Sequence, residues 1–199
     1  MPMVDAALTL PLDAEGFLAW EALQGCKYEY VRGEVFAMVG ARRKHVIAAL
    51  NMAAALKARL RGGPCQVYIS DMKLRVAAAD AFYYPDVMVS CDARDREADT
   101  HLEHARLVVE VLSLSTEAYD RGDKFASYRL LESLQEYVLV DLTAFRIETY
   151  RRTPEGDWLL HDWRPDQGPC HLHSLGLELP FDEVFEDLMP PDRSATTRS

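Results

Sequence analysis

The sequence predicts an α/β fold, a mixed sheet flanked by helices with additional antiparallel strands, and three observations carry that expectation. Two runs, ARLVVEVLS and EYVLVD, are almost continuously apolar, as strands covered on both faces are. The segment between them, roughly 116–132, has helical spacing and a length suited to a right-handed βαβ crossover. The stretch KYEYVRGEVFAMVG alternates on both sides of Arg32-Gly33, which reads as a β-hairpin.

The remaining elements follow in order. Residues 13–23, DAEGFLAWEAL, read as a short helix with Asp13 at its N-cap. Residues 42–60 form the longest helical pattern: Val46, Ile47, Leu50, Ala53 and Ala54 recur at helical spacing, and RGGP ends it. CQVYIS and MKLRVA read as a strand pair, YYPDVMVS as a strand entered through Pro85, and CDARDREADTHLEHA as a polar loop. The crossover helix has Ser115 or Thr116 as its cap. FRIETYRR and WLLHDW are further strands joined by the turn TPEGD, and FDEVFEDL is a short helix. One domain over residues 1–199 is expected, with its core at about 13–188 and a frayed tail at 189–199.

Composition excludes several classes. Hydrophobic residues make up 49% and charged residues 27% of the 199, ordinary for a globular chain. No apolar run approaches the roughly 20 residues that span a bilayer. The N-terminus lacks the basic region of a signal peptide, so a cytoplasmic location is expected. Cys26, Cys65, Cys91 and Cys170 are scattered, without a CxxC pair, which fits reduced structural thiols. A zinc site from Cys170, His171, His173 and His161 lacks the partner pair that the usual spacing requires. The net charge of −10 argues against nonspecific polyanion binding, yet it leaves room for metal-binding carboxylates beside a local basic patch.

Within the apolar run Leu107–Leu112 sits one acid, Glu110. A buried, unpaired carboxylate costs several kcal/mol or takes up a proton. Asp86 lies on a strand that could pair with this one, and two acids at strand spacing repel unless they share a cation. On the crossover helix Lys124, Phe125, Tyr128 and Leu131 fall on one inward face, so Lys124 could swing toward Glu110. Glu34, in the hairpin, is a third neighbour. On the residues alone a plainer reading stands beside this one: a structural Glu110–Lys124 pair, with Asp86 capping a turn.

The motifs YEYVRGEVFAM, His45 early in a long helix, YYPDVMVSCD, LVVEVLSLSTEAYDRGDKFASYR and EYVLVD closely resemble the Uma family. These bacterial proteins are described as restriction endonucleases of the PD-(D/E)XK nuclease superfamily. The resemblance runs from about Tyr28 to Phe185, with the motifs in order. It implies a restriction-endonuclease-like fold, with Asp86 as the aspartate of the PD half-motif and Glu110 as the acid of the (D/E)XK half. The position two beyond Glu110 holds Leu112 where the superfamily has lysine; Lys124, on the following helix, takes the basic role. Glu34 resembles the extra acid that many members supply from the N-terminal region.

What the resemblance implies chemically is a Mg2+-dependent DNA endonuclease, with Mn2+ as a substitute. Asp86, Glu110 and the carbonyl of Val111 would hold the ion, and Lys124 would orient or deprotonate the attacking water. Arg42, Arg43 and Lys44 crowd the N-terminus of the long helix, where the macrodipole disfavours cations and a phosphate would offset the penalty; His45 could reach the same place. No GxSxG elbow or phosphate-binding glycine loop accompanies the serines at 113 and 115, which read as helix caps. A homodimer would bring two active sites to a duplex. The alternative is a catalytically silent nuclease-fold binding or regulatory module; a purely structural, oligomer-forming protein is a third reading.

Overall fold

The strands fall into two six-stranded sheets and one two-stranded ribbon among the residues that the computed structural model describes, 8–9 and 12–188. The tail expected from 189 onward lies outside those residues. The central sheet has the order β12-β11-β10-β9-β7-β4, built from β4 (Gln66–Ile69), β7 (Val87–Ser90), β9 (Ala105–Val111), β10 (Glu136–Asp141), β11 (Arg146–Arg152) and β12 (Trp158–Trp163). Only β9 and β10 run parallel in it, with Glu110 beside Leu139, as the crossover pattern predicts. The outer sheet has the order β1-β3-β2-β6-β5-β8, from β1 (Leu8–Thr9), β2 (Tyr28–Val31), β3 (Glu34–Ala37), β5 (Lys73–Val76), β6 (Ala81–Tyr83) and β8 (His101–Leu102). The β2–β3 hairpin closes through Arg32 and Gly33, with φ of 50° and 87°, the positive values that a two-residue hairpin turn requires.

Strand alternation sends β9 side chains to two different cores. Leu107, Val109 and Val111 pack against α2 (Arg43–Arg59), α6 (Phe181–Val184) and the ribbon of β13 (Cys170–Leu172) and β14 (Leu177–Leu179). Val108 and Leu112, with Glu110 between them, face the crossover helix and the inner side of the outer sheet. That helix consists of α4 (Glu117–Tyr119), a π turn at Asp120–Lys124 and α5 (Phe125–Tyr128). On the far side of the outer sheet, Phe17 of α1 (Ala14–Glu21) packs with Tyr30, Val35 and Phe82; Asp13 caps α1 by accepting from Gly16 N–H. None of the described helices is long and apolar enough to cross a membrane.

Three sequence expectations give way here. CQVYIS and MKLRVA do not pair: a turn in which Met72 N–H donates to the Ile69 carbonyl sends β4 to the central sheet and β5 to the outer one. The inward face of α2 is Ala48, Met52, Ala53, Ala55 and Leu56, whereas Val46 and Leu50 are 53% and 64% exposed. The segment AALNMAAAL is apolar nearly all round, so periodicity does not select a face; small residues let the helix lie close on Val87, Val89 and Val109. The polar loop at 91–105 contains α3 (Ala93–Arg96) and β8.

The cysteines are not all thiols. Pairing of Gln66 with Ser90 puts Cys65 and Cys91 opposite each other, and they form a disulfide; Cys26 and Cys170 are free. A separation of 26 residues with no motif left this pairing invisible in the sequence. The α2 assignment yields a direct check. Leu56→Ala is expected to cost about 2–5 kcal/mol and Leu50→Ala less than about 0.5, read from denaturant midpoints. Equal losses would mean that the helix buries a different face.

Candidate active site

The register of β7 and β9 builds the site. Val87 pairs with Val109, so Asp86, one residue before β7, lies opposite Glu110. Each strand's backbone then holds the other's acid. Asp86 N–H approaches Glu110 Oε2 at 3.4 Å, and Val111 N–H donates to Asp86 Oδ2 at 2.8 Å. Tyr128 Oη donates to Glu110 Oε1 at 2.9 Å. Lys124 Nζ lies 2.9 Å from the same oxygen and 3.0 Å from Glu29 Oε1. Tyr84 N–H donates to Glu29 at 3.2 Å, and His45 Nε2, at the start of α2, lies 2.8 Å from Asp86 Oδ1.

The π turn matters locally. Its extra residue per turn rotates the helix so that Asp120 and Lys124 are both buried toward the sheet, at 4% and 6% exposure. Ser113 Oγ accepts from Thr116 N–H at 3.3 Å, while Thr116, in the cap position, makes no side-chain cap bond.

Burial pushes the Glu110 carboxyl up to about 8; the Lys124 charge pulls it down, and Asp86, Asp120 and Glu29 push it up again. Burial works against a charged Lys124, yet Glu110, Glu29 and Asp120 hold its ammonium well above the usual lysine range. Burial lowers His45, and the hydrogen bond to Asp86 with that residue's charge outweighs it, so the imidazole is raised. Asp120 is raised by burial, with Lys124 pulling the other way. Glu29, Asp86, Glu110 and Asp120 outnumber Lys124 and His45, so the cluster carries excess acid. Among the described residues no group of three or more His, Cys, Asp or Glu side chains is arranged to hold an ion. The Asp86–Glu110 pair offers the oxygen donors that a small hard cation takes, but each of its four oxygens already has a protein partner, so a cation would have to displace Lys124 or His45.

The structure brings Asp86, Glu110 and Lys124 together, with His45 against Asp86. Arg42, Arg43 and Lys44 are exposed at the end of α2 that delivers His45. Val111 turns its side chain to the opposite core and presents its amide N–H to Asp86. Glu34 is a correction. It is exposed at the turn end of β3, which pairs with β1 and β2, while Glu29 sits on β2, the strand beside β6 and hence beside Tyr84. Hairpin alternation gave Glu29 and Glu34 the same face, and only the pairing of β2 with β6 chooses between them. Asp120 and Tyr128 were also missed as site residues. Tyr128 was legible as an inward neighbour of Lys124, but the π turn that buries Asp120 has no sequence period.

A family model described as "Uma2: Putative restriction endonuclease" matches residues 14–182. The chain belongs to the Uma2 family. Two Synechocystis proteins are similar along most of their length. Uncharacterized protein slr1290 is 37% identical over 177 residues, 89% of this chain and 93% of that one. Uncharacterized protein sll1609 is 31% identical over 160 residues, 79% and 90% respectively. A crystal structure described as a putative nuclease belonging to DUF820, from Anabaena variabilis, superimposes with a TM-score of 0.72 over 90% of this Uma2 chain and 100% of the other, at 17% identity. That likeness establishes the nuclease-type α/β fold expected from the sequence.

Glu110 gives this Uma2 site a pH signature. A carboxyl raised from 4.5 to about 8 in the folded state binds more protons there than in the unfolded chain. Its contribution to stability is therefore complete below its ordinary pKa and is lost as pH rises through about 8. Denaturant titrations between pH 5 and 8 (about one unit apart) should show stability falling with pH in wild type and a flatter profile in Glu110→Gln. Parallel profiles would show that Glu110 is ionised throughout.

Proposed function

We propose that this protein is a metal-dependent endonuclease that hydrolyses phosphodiester bonds in DNA, with Mg2+ as its ion and Mn2+ as a substitute. The observation that carries this reading is the convergence of Asp86, Glu110 and Lys124 at the carboxyl end of β9. Asp86, Glu110 and the carbonyl of Val111 would hold the cation, whose charge would stabilise the phosphate and activate a water.

The chain's own groups do the rest. Val111 N–H and His45 fix the Asp86 carboxylate, and Tyr128 Oη fixes Glu110. Lys124, poised between Glu110 and Glu29, donates to the attacking water or a phosphate oxygen, and Glu29 keeps its ammonium charged when Glu110 turns to a cation. Arg42, Arg43 and Lys44, at the N-terminus of α2, hold neighbouring phosphates. Action in the cytoplasm as a homodimer, one site for each strand of a duplex, completes the reading.

A second reading, a catalytically silent binding module, has one observation in its favour. Lys124 pairs with Glu110 and His45 with Asp86, so each of the two acids already has a side-chain partner. Calorimetry with Mg2+ or Mn2+, paired with nicking of supercoiled plasmid, separates the two. Metal binding and nicking should both vanish in Asp86→Ala and Glu110→Ala, while Lys124→Met should keep the metal and lose cleavage by about 100-fold or more. A wild type that binds no metal, with variants that are merely less stable, would leave the silent module standing.

A further inference from the structure

The bond between Cys65 and Cys91 stands at the far end of two elements that build the acid site. α2 begins at the site with His45, and Asp86 precedes β7 there, the two side chains 2.8 Å apart. From that point α2 leads through Gly62, Gly63 and Pro64 to Cys65, and β7 leads to Cys91. A hydrogen bond thus ties the pair of elements at one end and a disulfide at the other. The strand after Cys65, β4, closes one edge of the central sheet; its four residues pair with β7 alone, and Gln66 and Ile69 are exposed. An edge strand held on one side only depends heavily on such a cross-link.

The bond is reachable, and cations surround the way in. Cys65 and Cys91 are both half-buried. Of the two, Cys65 lines a cavity of about 360 Å³ between the end of α2 and β4, together with Lys57, Arg61 and Tyr68. Lys57 and Arg61 are exposed, while Arg59 between them pairs with Glu183. Arg96 donates to the Pro64 carbonyl, next to Cys65. The acids that follow Cys91 are engaged. Asp92 caps α3 and pairs with Arg94 at 2.6 Å, and buried Asp95 accepts from the amides of Glu103 and His104. In a chain of net charge −10 this is a local positive spot, which draws small anions and favours a thiolate over a thiol.

We propose that Cys65–Cys91 is a thiol–disulfide exchange site for small anionic thiols, of which glutathione is the type, and that its opening loosens β4 and the last turn of α2. A thiolate entering the cavity meets Cys65 first. It attacks Cys65 Sγ, the S–S bond breaks, and Cys91 leaves as a thiolate that takes up a proton. A second thiolate attacks the small molecule's sulfur in the mixed disulfide and releases Cys65. Two small thiols have then become one small disulfide, and their two electrons have reduced the pair. Glutathione disulfide runs the same steps backwards. Cytoplasmic disulfides are usually transient and redox-sensing, in keeping with the location proposed above. The exchange site stands whether or not the acid cluster cuts nucleic acid.

The test uses the full chain carrying Cys26→Ser, oxidised with glutathione disulfide and kept native throughout. Glutathione or the cationic thiol cysteamine is added at equal thiolate concentration, and free Cys65 and Cys91 are trapped with iodoacetamide and counted by mass spectrometry. Glutathione should open the bond about tenfold faster than cysteamine at low salt. That preference should disappear at about 1 M salt and in the doubly substituted Lys57→Glu, Arg61→Glu protein, whose melting temperature is unchanged. On opening, amide hydrogen exchange at residues 57–60 and 66–69 should quicken at least about tenfold, while β9 and β10 stay protected. The doubly substituted Cys65→Ser, Cys91→Ser protein should show the quickened exchange with or without thiol. Equal rates with the two thiols, a bond that opens only in denaturant, or a pair that glutathione disulfide leaves as two thiols overturns the exchange site. Exchange in β4 that is the same before and after opening overturns the loosening.

Discussion

Burying Glu110 in the central strand of the sheet is the constraint around which the rest is arranged. A carboxylate there loses its hydration, and attraction to one lysine recovers that loss only when further hydrogen bonds complete the geometry. Here the crossover helix supplies two of the partners, Lys124 and Tyr128, from adjacent turns, and the π turn sets their phase. The backbone of β7 supplies the contact from Asp86 N–H. Lys124 in turn needs a second counter-charge, and the outer sheet brings it as Glu29.

That chain of dependence explains why the outer sheet is more than a cover. Glu29 is held by the Tyr84 amide, and the Tyr84 hydroxyl donates to buried Glu21, which also pairs with Lys73. The segment Tyr84-Pro85-Asp86 therefore ties the outer sheet to the first acid of the site on the central one. Loss of any one buried partner would strand a charge in low dielectric, which is costlier than the pair was favourable. The candidate site and the stability of the fold are coupled here.

The net charge of −10 argues against nonspecific binding of polyanions. Its distribution changes the argument. Part of the acid excess is concentrated in the Asp86–Glu110–Asp120–Glu29 cluster around Lys124. Arginines and a lysine are exposed at the start of α2, beside His45. Fields within a Debye length of about 8–10 Å are set by these local groups.

The sequence by itself determined the α/β class, the parallel β9–helix–β10 unit and the hairpin at Arg32-Gly33, and it marked Glu110 and Lys124 as a charge pair on inward faces with Asp86 as a candidate neighbour. These features are local: a hydrophobic period, a glycine turn, and an acid or base out of place on an apolar face each leave a mark within a few residues. Only the tertiary structure decided that Glu29 and not Glu34 meets Lys124, that Cys65 bonds Cys91, which face α2 buries, and which sheet β4 joins. Each of these depends on which strand lies beside which. Alternation along one strand gives a side chain its face, but the neighbour on that face comes from contacts between residues far apart in the chain, and these leave no period to read.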